Sequence, residues 1–458
     1  MDLLRPVAER AGASGAARRV YLDALLGFGQ EYRESAQDQK ALGITPEALR
    51  IAKGLGAPHS ADATVNAGYA HAQSGLAMEL AGLGRNEEAR PAAEEALAVA
   101  DRVLAQHPQY GYALLAKYLA DRALARAARN ELDPSEAQGF AMQGAQAMLA
   151  LVAIEPGNAL YANELGVTYV EIGTSTWDAG RLGESIAYGR KAMQTFGRGA
   201  AGLSFGVANL FTQMSDMASY QAHLGDFSGA AATVAATNAF VSPTALRKLG
   251  AASRGVAFIN DTQAITAATI AYERGDFAAA RRIARAAIAA LPAAHGPLPN
   301  GWLRQLSGLE GAAEYQLGDF AAAAQALRTA LQATETLTHS VADQRTQGQI
   351  VVRLSMALAR EGKRAEAFRT IGPVVTMYRA LEKQNRSDQW LPLEYAEALY
   401  AQALSDPPHR AALLREAAQR IDHLIPSVAR LHDTRAWRAR IEAAQRAGRL
   451  RPGAFAPG

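Results

Sequence analysis

The residue types that most often act in catalysis or metal binding are either absent from this sequence or scattered along it. Cys is absent, which excludes thiolate metal sites, redox pairs and cysteine nucleophiles. The nine histidines are at 59, 71, 107, 223, 295, 339, 409, 423 and 432. None belongs to an HExxH motif, and no pair of them is placed with a carboxylate at i+3 or i+4 across the repeated helices. We therefore predict no catalytic residues, no metal ligands and no enzymatic activity.

One glycine-rich segment, Gly197 to Gly202, matches the spacing of a dinucleotide-binding loop. That loop holds a pyrophosphate only where it follows a β-strand and opens a helix of a βαβ unit. No such strand precedes Gly197, so an ordinary loop between helices is favoured, and no cofactor is predicted.

Four tryptophans, at 177, 302, 390 and 437, raise the question of a ligand-binding aromatic box. Each is near the start of a helical segment or within one, where packing between helices is the usual role of a large aromatic side chain. Trp177 falls in an apparent insertion, residues 173–179, which is predicted to elaborate the binding surface locally.

The charge pattern gives little support for binding to nucleic acid or membranes. Basic residues number 47 and acidic residues 44, and the ten Arg after Ser405 are interleaved with acids but not with stacking aromatics. The N-terminus has no apolar signal core, and the longest mainly apolar stretch, 145–154, is about half of the roughly 20 residues that span a bilayer. We predict a cytoplasmic chain without a membrane span.

The strongest pattern is an internal repeat. A Gly-Asp-Phe triplet occurs at 225, 275 and 318, and each Gly is followed five residues later by Ala. The same offset to a small residue occurs at Gly84/Ala89, Gly180/Ser185 and Gly362/Ala367. Gly ends a helix in the left-handed conformation, Asp caps the next helix, and the aromatic residue can pack back across the turn. Small residues such as Ala280, Ala284 and Ala287 then allow two helices to approach closely.

These turns give a nearly constant period. The steps between the glycines at 180, 225, 275, 318 and 362 are 45, 50, 43 and 44 residues. A degenerate turn at 130–135 divides the longer gap after Gly84, and another is expected near Asp406. The sequence thus predicts an all-α, right-handed α-solenoid of about eight stacked helix hairpins. Residues 1–60 are predicted to form an N-terminal helical cap, 61–426 the repeat array, and 427–458 a C-terminal capping helix and tail.

The units resemble tetratricopeptide repeats with lengthened helices. Leu165-Gly166-Val167-Thr168-Tyr169 matches the first-helix signature, Ala280 and Ala287 with Pro292 match the second helix, and residues 155–158 match the inter-repeat connection. The array is similar to the C-terminal arrays of bacterial winged-helix regulators and Ser/Thr kinases. The resemblance implies a protein-interaction scaffold or regulatory region, with a small-ligand sensor as the alternative.

In such arrays the first helix of every unit lines a groove. The residues predicted to face it are Asn163, Thr212, Ser215, Ser219, His223, Thr262, Thr269, Tyr272, Gln305 and Tyr315. This neutral, hydrogen-bonding lining suits a peptide or protein partner. The alternative is that these residues simply face solvent, which we expect of about half of them. The basic cluster of carboxylate-clamp tetratricopeptide domains is not evident.

Overall fold

The computed structural model describes residues 14–34, 38–199, 204–240, 253–291, 297–334 and 340–447. These residues form helices, turns and short connections, and no β-strand occurs among them. The all-α prediction is confirmed. Pro292, the second half of the 197–202 segment and the C-terminal tail from Gly453 lie outside the described residues.

The described helices alternate with short turns. They are α1 Gly15–Glu34, α2 Asp38–Leu42, α3 Thr45–Gly54, α4 Ala63–Gly82, α5 Asn86–Gln106, α6 Gly111–Asn130, α7 Pro134–Ile154, α8 Ala159–Asp178, α9 Leu182–Gly199, α10 Ser204–His223, α11 Phe227–Phe240, α12 Ser253–Glu273, α13 Phe277–Ala290, α14 Pro297–Leu317, α15 Phe320–Gln332, α16 Val341–Arg360, α17 Arg364–Gln384, α18 Leu391–Ser405, α19 Arg410–Asp422, α20 Pro426–Ala429 and α21 His432–Arg446. From α4 to α19 they pair into eight hairpins, as the repeat predicts.

The chain divides into two compact units. The first comprises 1–176 with 190–203 and 338–341, and the second comprises 177–189, 204–337 and 342–458. In the first unit α4 packs against its partner α5 and also against α6, the first helix of the next hairpin. Its core includes Tyr21, Leu25, Tyr69 and Val99, which joins the N-terminal helices to the first hairpin.

The second unit repeats this arrangement. First helices α10, α12 and α14 pack in succession, and each also contacts the second helix of its own hairpin. Ala280, Ala284 and Ala287 are buried, which confirms the small-residue face predicted for α13. The final helix, α21, packs against α19 and α18.

A residue with positive φ ends the first helix in seven of the eight hairpins. These residues are Gly84, Leu132, Gly180, Gly225, Gly275, Gly318 and Gly362. The next amide reaches back to a carbonyl five residues earlier; the nitrogen of Asp276 donates to the oxygen of Ala271 at 2.9 Å, for example. This is the Schellman hydrogen bond of a helix that stops at a left-handed residue.

The predicted caps follow these turns. Oδ1 of Asp226, Asp276 and Asp319 accepts a hydrogen bond from the amide three residues later, at 2.9, 3.0 and 3.0 Å. Tyr272 stacks edge-on against Phe277, and Tyr315 against Phe320, each at 5.4 Å between ring centroids. The aromatic residue after the Asp thus packs across the turn, as predicted.

The hairpin with the degenerate turn keeps the same geometry without glycine. Leu132 has φ of 59°, and its side chain is buried. Asp133 caps α7 by accepting a hydrogen bond from the amide of Glu136 at 3.0 Å. Ala137, five residues after Leu132, is buried like Ala89, Ala230 and the other small residues at that position.

Two local predictions are wrong. Residues 173–179 do not form an insertion, because α8 continues through Asp178. The hydroxyls of Thr174, Ser175 and Thr176 donate to carbonyls four residues earlier, at 3.0 Å each, which is compatible with an unbroken helix. Residues 197–199 are the last turn of α9 rather than part of a loop between helices.

One helix, α7, is long and apolar enough to cross a membrane by length and composition alone, with a window of mean hydropathy 1.2. It packs against α6, and its buried residues include Met148 and Leu151. Met142 and Leu149 are exposed. The absence of a membrane span stays a prediction.

The second unit contains contacts between segments that are distant in sequence. The indole Nε1 of Trp390 donates to the carbonyl of Trp177 at 2.8 Å, across 213 residues. The amide of Gln389 donates to the carbonyl of Asp178, and the hydroxyl of Ser427 to that of Gly180, both at 2.8 Å. Repeats that contact only their sequence neighbours, the usual solenoid pattern, would not make these bonds.

Substitution of Gly180 tests how much the packing of residues 177–180 against residues 389–428 contributes to stability. A Cβ on Gly275 would meet nothing within 4 Å, so Gly275→Ala adds only the left-handed strain of about 1 to 2 kcal/mol. A Cβ on Gly180 would approach Cδ1 of Ile425 to 2.5 Å as well. We expect Gly180→Ala to lower the thermal unfolding midpoint of the second unit more than Gly275→Ala does.

The control is Gly308→Ala, inside α14, where an added Cβ would meet no atom within 4 Å. This substitution should raise the unfolding midpoint, because alanine favours the helix more than glycine does. Equal losses for the two turn variants would contradict the packing described at Gly180.

Candidate functional site

A cavity of about 320 Å³ opens in the first unit along the first helices of three consecutive hairpins. Its lining comes from α4, α6 and α8, and no second helix contributes to it. The lining residues are Met78, Arg122, Ala125, Arg126, Arg129, Glu171 and Ser175. All of its lining residues therefore come from first helices, the helices that the sequence predicts to line a groove.

The three arginines lie on one face because of their spacing. Arg122, Arg126 and Arg129 stand ten, six and three residues before the left-handed Leu132. Steps of four and three residues place side chains on one side of a helix. Ser215 and Ser219 occupy the same two earlier positions before Gly225. Arg122 and Arg126 therefore stand at the positions equivalent to two of the predicted groove residues of α10, with Arg in place of small polar residues.

Arg122 is held in place by neighbouring acids. Its Nε donates to Oε1 of Glu171 at 2.6 Å, and Nη1 is 3.4 Å from Oε2 of Glu164, which also accepts the hydroxyl of Tyr118 at 2.6 Å. Burial lowers the pKa of Arg122, but the charges of Glu171 and Glu164 outweigh it, so the net shift is upward. Arg122 thus keeps its charge and its position in the cavity wall.

The cavity wall carries more positive than negative charge. Three guanidinium groups and one carboxylate line it, and Arg126 is exposed. Guanidinium groups bind carboxylates through paired hydrogen bonds in a fixed planar geometry. Sequence reasoning found no basic cluster of the carboxylate-clamp kind and did not identify these arginines as neighbours. The turn at Leu132 has no Gly from which to count back, which is why the sequence did not reveal these residues. The Asp133 cap and Ala137 would have revealed the register.

The predicted groove residues lie mostly in the second unit. Asn163 alone is in the first, buried in α8, where its Nδ2 donates to Oε1 of Glu164 at 3.2 Å. Ser215 is buried and Gln305 is exposed. The half-buried members are Thr212, Ser219, His223, Thr262, Thr269, Tyr272 and Tyr315. Because Tyr272 and Tyr315 pack on the turn phenylalanines, they stabilise the hairpins whether or not they also contact a partner.

His223 belongs to a second cluster in the second unit. Its Nδ1 lies 3.6 Å from Oε1 of Glu273 and 3.5 Å from Oδ2 of Asp433. Burial lowers the pKa of His223. Its interaction with the carboxylate of Glu273, together with the charges of Asp433 and Glu397, raises the pKa by more than burial lowers it, so the net shift is upward. Burial, with the charges of Glu394 and Asp433, raises the pKa of Glu397 to about 8 against the opposing charge of Arg353.

An aromatic stack adjoins this cluster. Trp177 lies between Tyr220 and Trp390, with ring centroids 4.4 and 5.1 Å away and nearly parallel planes. The rings of Trp177 and Trp390 are tilted toward His223, at 6.0 and 5.8 Å. Rings stacked at these distances leave no room for a ligand between them, so the tryptophans pack against each other rather than form a ligand-binding box.

Comparison with known proteins agrees with this geometry. A tetratricopeptide repeat model matches residues 70–109, which contain most of α4, the turn at Gly84 and all of α5. This segment is similar to a tetratricopeptide repeat, and the described helices of the rest of the chain are arranged in hairpins of the same kind. No match was found among curated protein sequences.

Several solved structures are similar to this chain. The human IFIT1 dimer with m7Gppp-AAAA has 12% identity and a TM-score of 0.42, with 97% of this chain and 90% of that chain covered. Yeast Tom70 has 12% identity and a TM-score of 0.33, with coverages of 93% and 96%. The APC/C hetero-tetramer Cut9-Hcn1 has 12% identity, a TM-score of 0.38 and coverages of 96% and 96%. The identities and TM-scores are too low for these structures to inform function.

Asp121, adjacent to Arg122 in α6, should make the stability of the folded chain depend on pH. Its side chain is fully buried, neither carboxylate oxygen has a hydrogen-bond partner among the described residues, and burial raises its pKa from 3.8 to about 7. Lys117 opposes this shift and Asp101 adds to it. The folded state therefore holds the proton more tightly than the unfolded chain, so stability is lost as pH rises from about 4 to about 7, by a few kcal/mol at most.

We expect Asp121→Asn to remove this pH dependence. Thermal unfolding followed by circular dichroism should give a higher midpoint than the parent at about pH 8 and no advantage at about pH 5. Asp422→Asn, at a 61% exposed side chain, is the matched control and should leave the pH profile unchanged. A variant profile parallel to that of the parent would show that Asp121 does not titrate in this range.

Proposed function

We propose that this chain is a non-catalytic scaffold that binds an extended segment of a protein partner along the first helices of its hairpins. In the first unit the bound segment is acidic. The observation that carries the proposal is the cavity lined only by α4, α6 and α8, with Arg122, Arg126 and Arg129 in its wall.

The shape and charge of this cavity suit side chains of an extended peptide. First helices of successive hairpins offer a continuous row of positions at which alternate peptide side chains can be bound. A cavity of about 320 Å³ accommodates one or two side chains rather than a folded domain. Carboxylates of Asp, Glu or a chain terminus match guanidinium donors in charge and geometry.

A small-ligand sensor is the second candidate, and the lining favours it less. Small-molecule pockets are lined mainly by apolar and aromatic groups with a few polar ones. Here four of the seven lining residues are charged, and none is aromatic. Catalysis has no support in the cavity either, because the Ser175 hydroxyl donates to the carbonyl of Glu171, and the only carboxylate among the lining residues, that of Glu171, is paired with Arg122.

In the second unit we propose that the neutral row supplies further hydrogen bonds to the same kind of partner. Ser219, Thr262 and Thr269 are half-buried and Gln305 is exposed, so each has surface available for contact. His223 is held in the separate cluster with Glu273 and Asp433.

Charge reversal tests the proposal directly. Fluorescence anisotropy would compare two labelled peptides, one of alternating Glu and Ser and one of alternating Lys and Ser. We expect the acidic peptide to bind the parent, with affinity that falls as salt rises, and Arg126→Glu with Arg129→Glu to weaken binding by at least about tenfold. Arg122 is left intact because its loss would leave Glu171 without its ion pair.

The control is the same charge change outside the cavity. Arg102 and Arg190 are exposed on the second helices α5 and α9, so Arg102→Glu with Arg190→Glu should leave binding unchanged. Equal loss in both double variants would indicate attraction by net charge alone. Equal binding of the two peptides to the parent, or binding of neither, would reject an acidic partner for this groove.

A further inference from the structure

Three potential metal ligands lie close together in the second unit. None of them is near the residues of the arginine-lined cavity in the sequence. Nδ1 of His223 and carboxylate oxygens of Glu273 and Asp433 all lie within 4.8 Å of one another. The sequence predicted no metal ligands, because positions 223, 273 and 433 form no motif.

The repeat explains how two of these ligands meet. His223 and Glu273 each stand two residues before a turn glycine, at the last residue of α10 and of α12. Equivalent positions of stacked hairpins become neighbours, and α10 packs against α12. Asp433 comes from the first turn of α21, so the three ligands belong to three separate helices.

The distances fit a cation between the ligands better than direct hydrogen bonds. A charge-assisted hydrogen bond from imidazole to carboxylate is about 2.7 to 2.9 Å long, whereas Nδ1 of His223 is 3.6 and 3.5 Å from its two acidic neighbours. Ligand atoms about 2.0 to 2.1 Å from a tetrahedral Zn²⁺ are separated by roughly 3.3 to 3.4 Å. Small side-chain movements would bring the three atoms to that separation.

The surroundings provide negative charge and a fixed imidazole. Glu273 and Asp433 supply this negative charge, and the charge of Arg353 opposes that of Asp433; the nearby carboxyl of Glu397 is largely neutral at pH 7 because burial raises its pKa to about 8. Side-chain exposures of 25% for His223, 13% for Glu273 and 38% for Asp433 leave partial access for an ion and a water molecule. The tilted rings of Trp177 and Trp390 restrict the position of the His223 ring.

We propose that His223, Glu273 and Asp433 bind a divalent cation of the Zn²⁺ class, with a water molecule as the remaining ligand. One imidazole nitrogen and two carboxylate oxygens form a ligand set that Zn²⁺ accepts. The ion would join α10, α12 and α21, and so hold the C-terminal helix to the repeats. This site is separate from the arginine-lined cavity, whose residues belong to the other unit.

Metal titration of the full chain tests the site. After chelator treatment, isothermal titration with ZnCl₂ should give one bound ion per chain, and Co²⁺ should produce the visible absorption of a low-coordinate site. His223→Gln and Asp433→Asn should each weaken binding by at least about tenfold and remove the rise in unfolding temperature that Zn²⁺ gives the parent. Circular dichroism of the metal-free variants would verify that each has folded.

His409→Gln is the matched control. Nδ1 of His409 lies 3.0 and 3.1 Å from the oxygens of Asp406, but the His409 side chain is 74% exposed and has only this one carboxylate beside it among the described residues. Its loss should not alter Zn²⁺ affinity. Absence of stoichiometric binding by the parent, or binding that survives in folded His223→Gln and Asp433→Asn, would overturn the proposal. Neither result would affect the peptide experiment, because the arginine variants leave these ligands intact.

Discussion

The left-handed residue that ends the first helix in seven of the eight hairpins is the constraint on which the rest of the structure depends. It stops the helix, turns the chain and allows the next amide to bond a carbonyl five residues back. In four hairpins an Asp side chain then caps the second helix within one turn. Because both helix ends are fixed by local hydrogen bonds, the residue five positions after the turn always reaches the interface between the two helices, where Ala or Ser is buried at no more than 2% exposure. Close approach of the helices follows from that small side chain.

The same constraint fixes which residues of a first helix can meet a partner. Counting back from the left-handed residue gives an equivalent face in each of the seven hairpins that have one, so a change of chemistry from one hairpin to the next requires only side-chain substitution. In α10 that face carries Ser215 and Ser219, and in α6 it carries Arg122 and Arg126. Glu164 and Glu171 compensate the most buried of these charges, as a partly buried guanidinium requires. The fold thus sets the positions, while the sequence of each hairpin sets the ligand chemistry.

Local signals in the sequence were sufficient to predict the hairpins, their period, the Asp caps and the aromatic contact across the turn. Each of these features depends on residues within about ten positions of one another. The contacts missed by sequence reasoning connect distant segments: Trp177 with Trp390, and His223 with Glu273 and Asp433. Their formation depends on the packing of several hairpins, which no local pattern encodes. Residues 173–179 looked like an insertion for the same reason, since Trp177 is explained by a partner more than 200 residues away.

Leu132 shows why a structural repeat can persist where its sequence motif is absent. A left-handed conformation costs a residue with a Cβ atom roughly 1 to 2 kcal/mol compared with glycine. Full burial of a leucine side chain contributes about 1.5 to 3 kcal/mol, and Leu132 is only 1% exposed. The burial term therefore offsets the backbone strain, and the turn forms with the same hydrogen bond from Asp133 to the carbonyl of Ala128. Conformational preference alone would reject this turn, but packing retains it, and with it the register that turns Arg122, Arg126 and Arg129 toward the cavity.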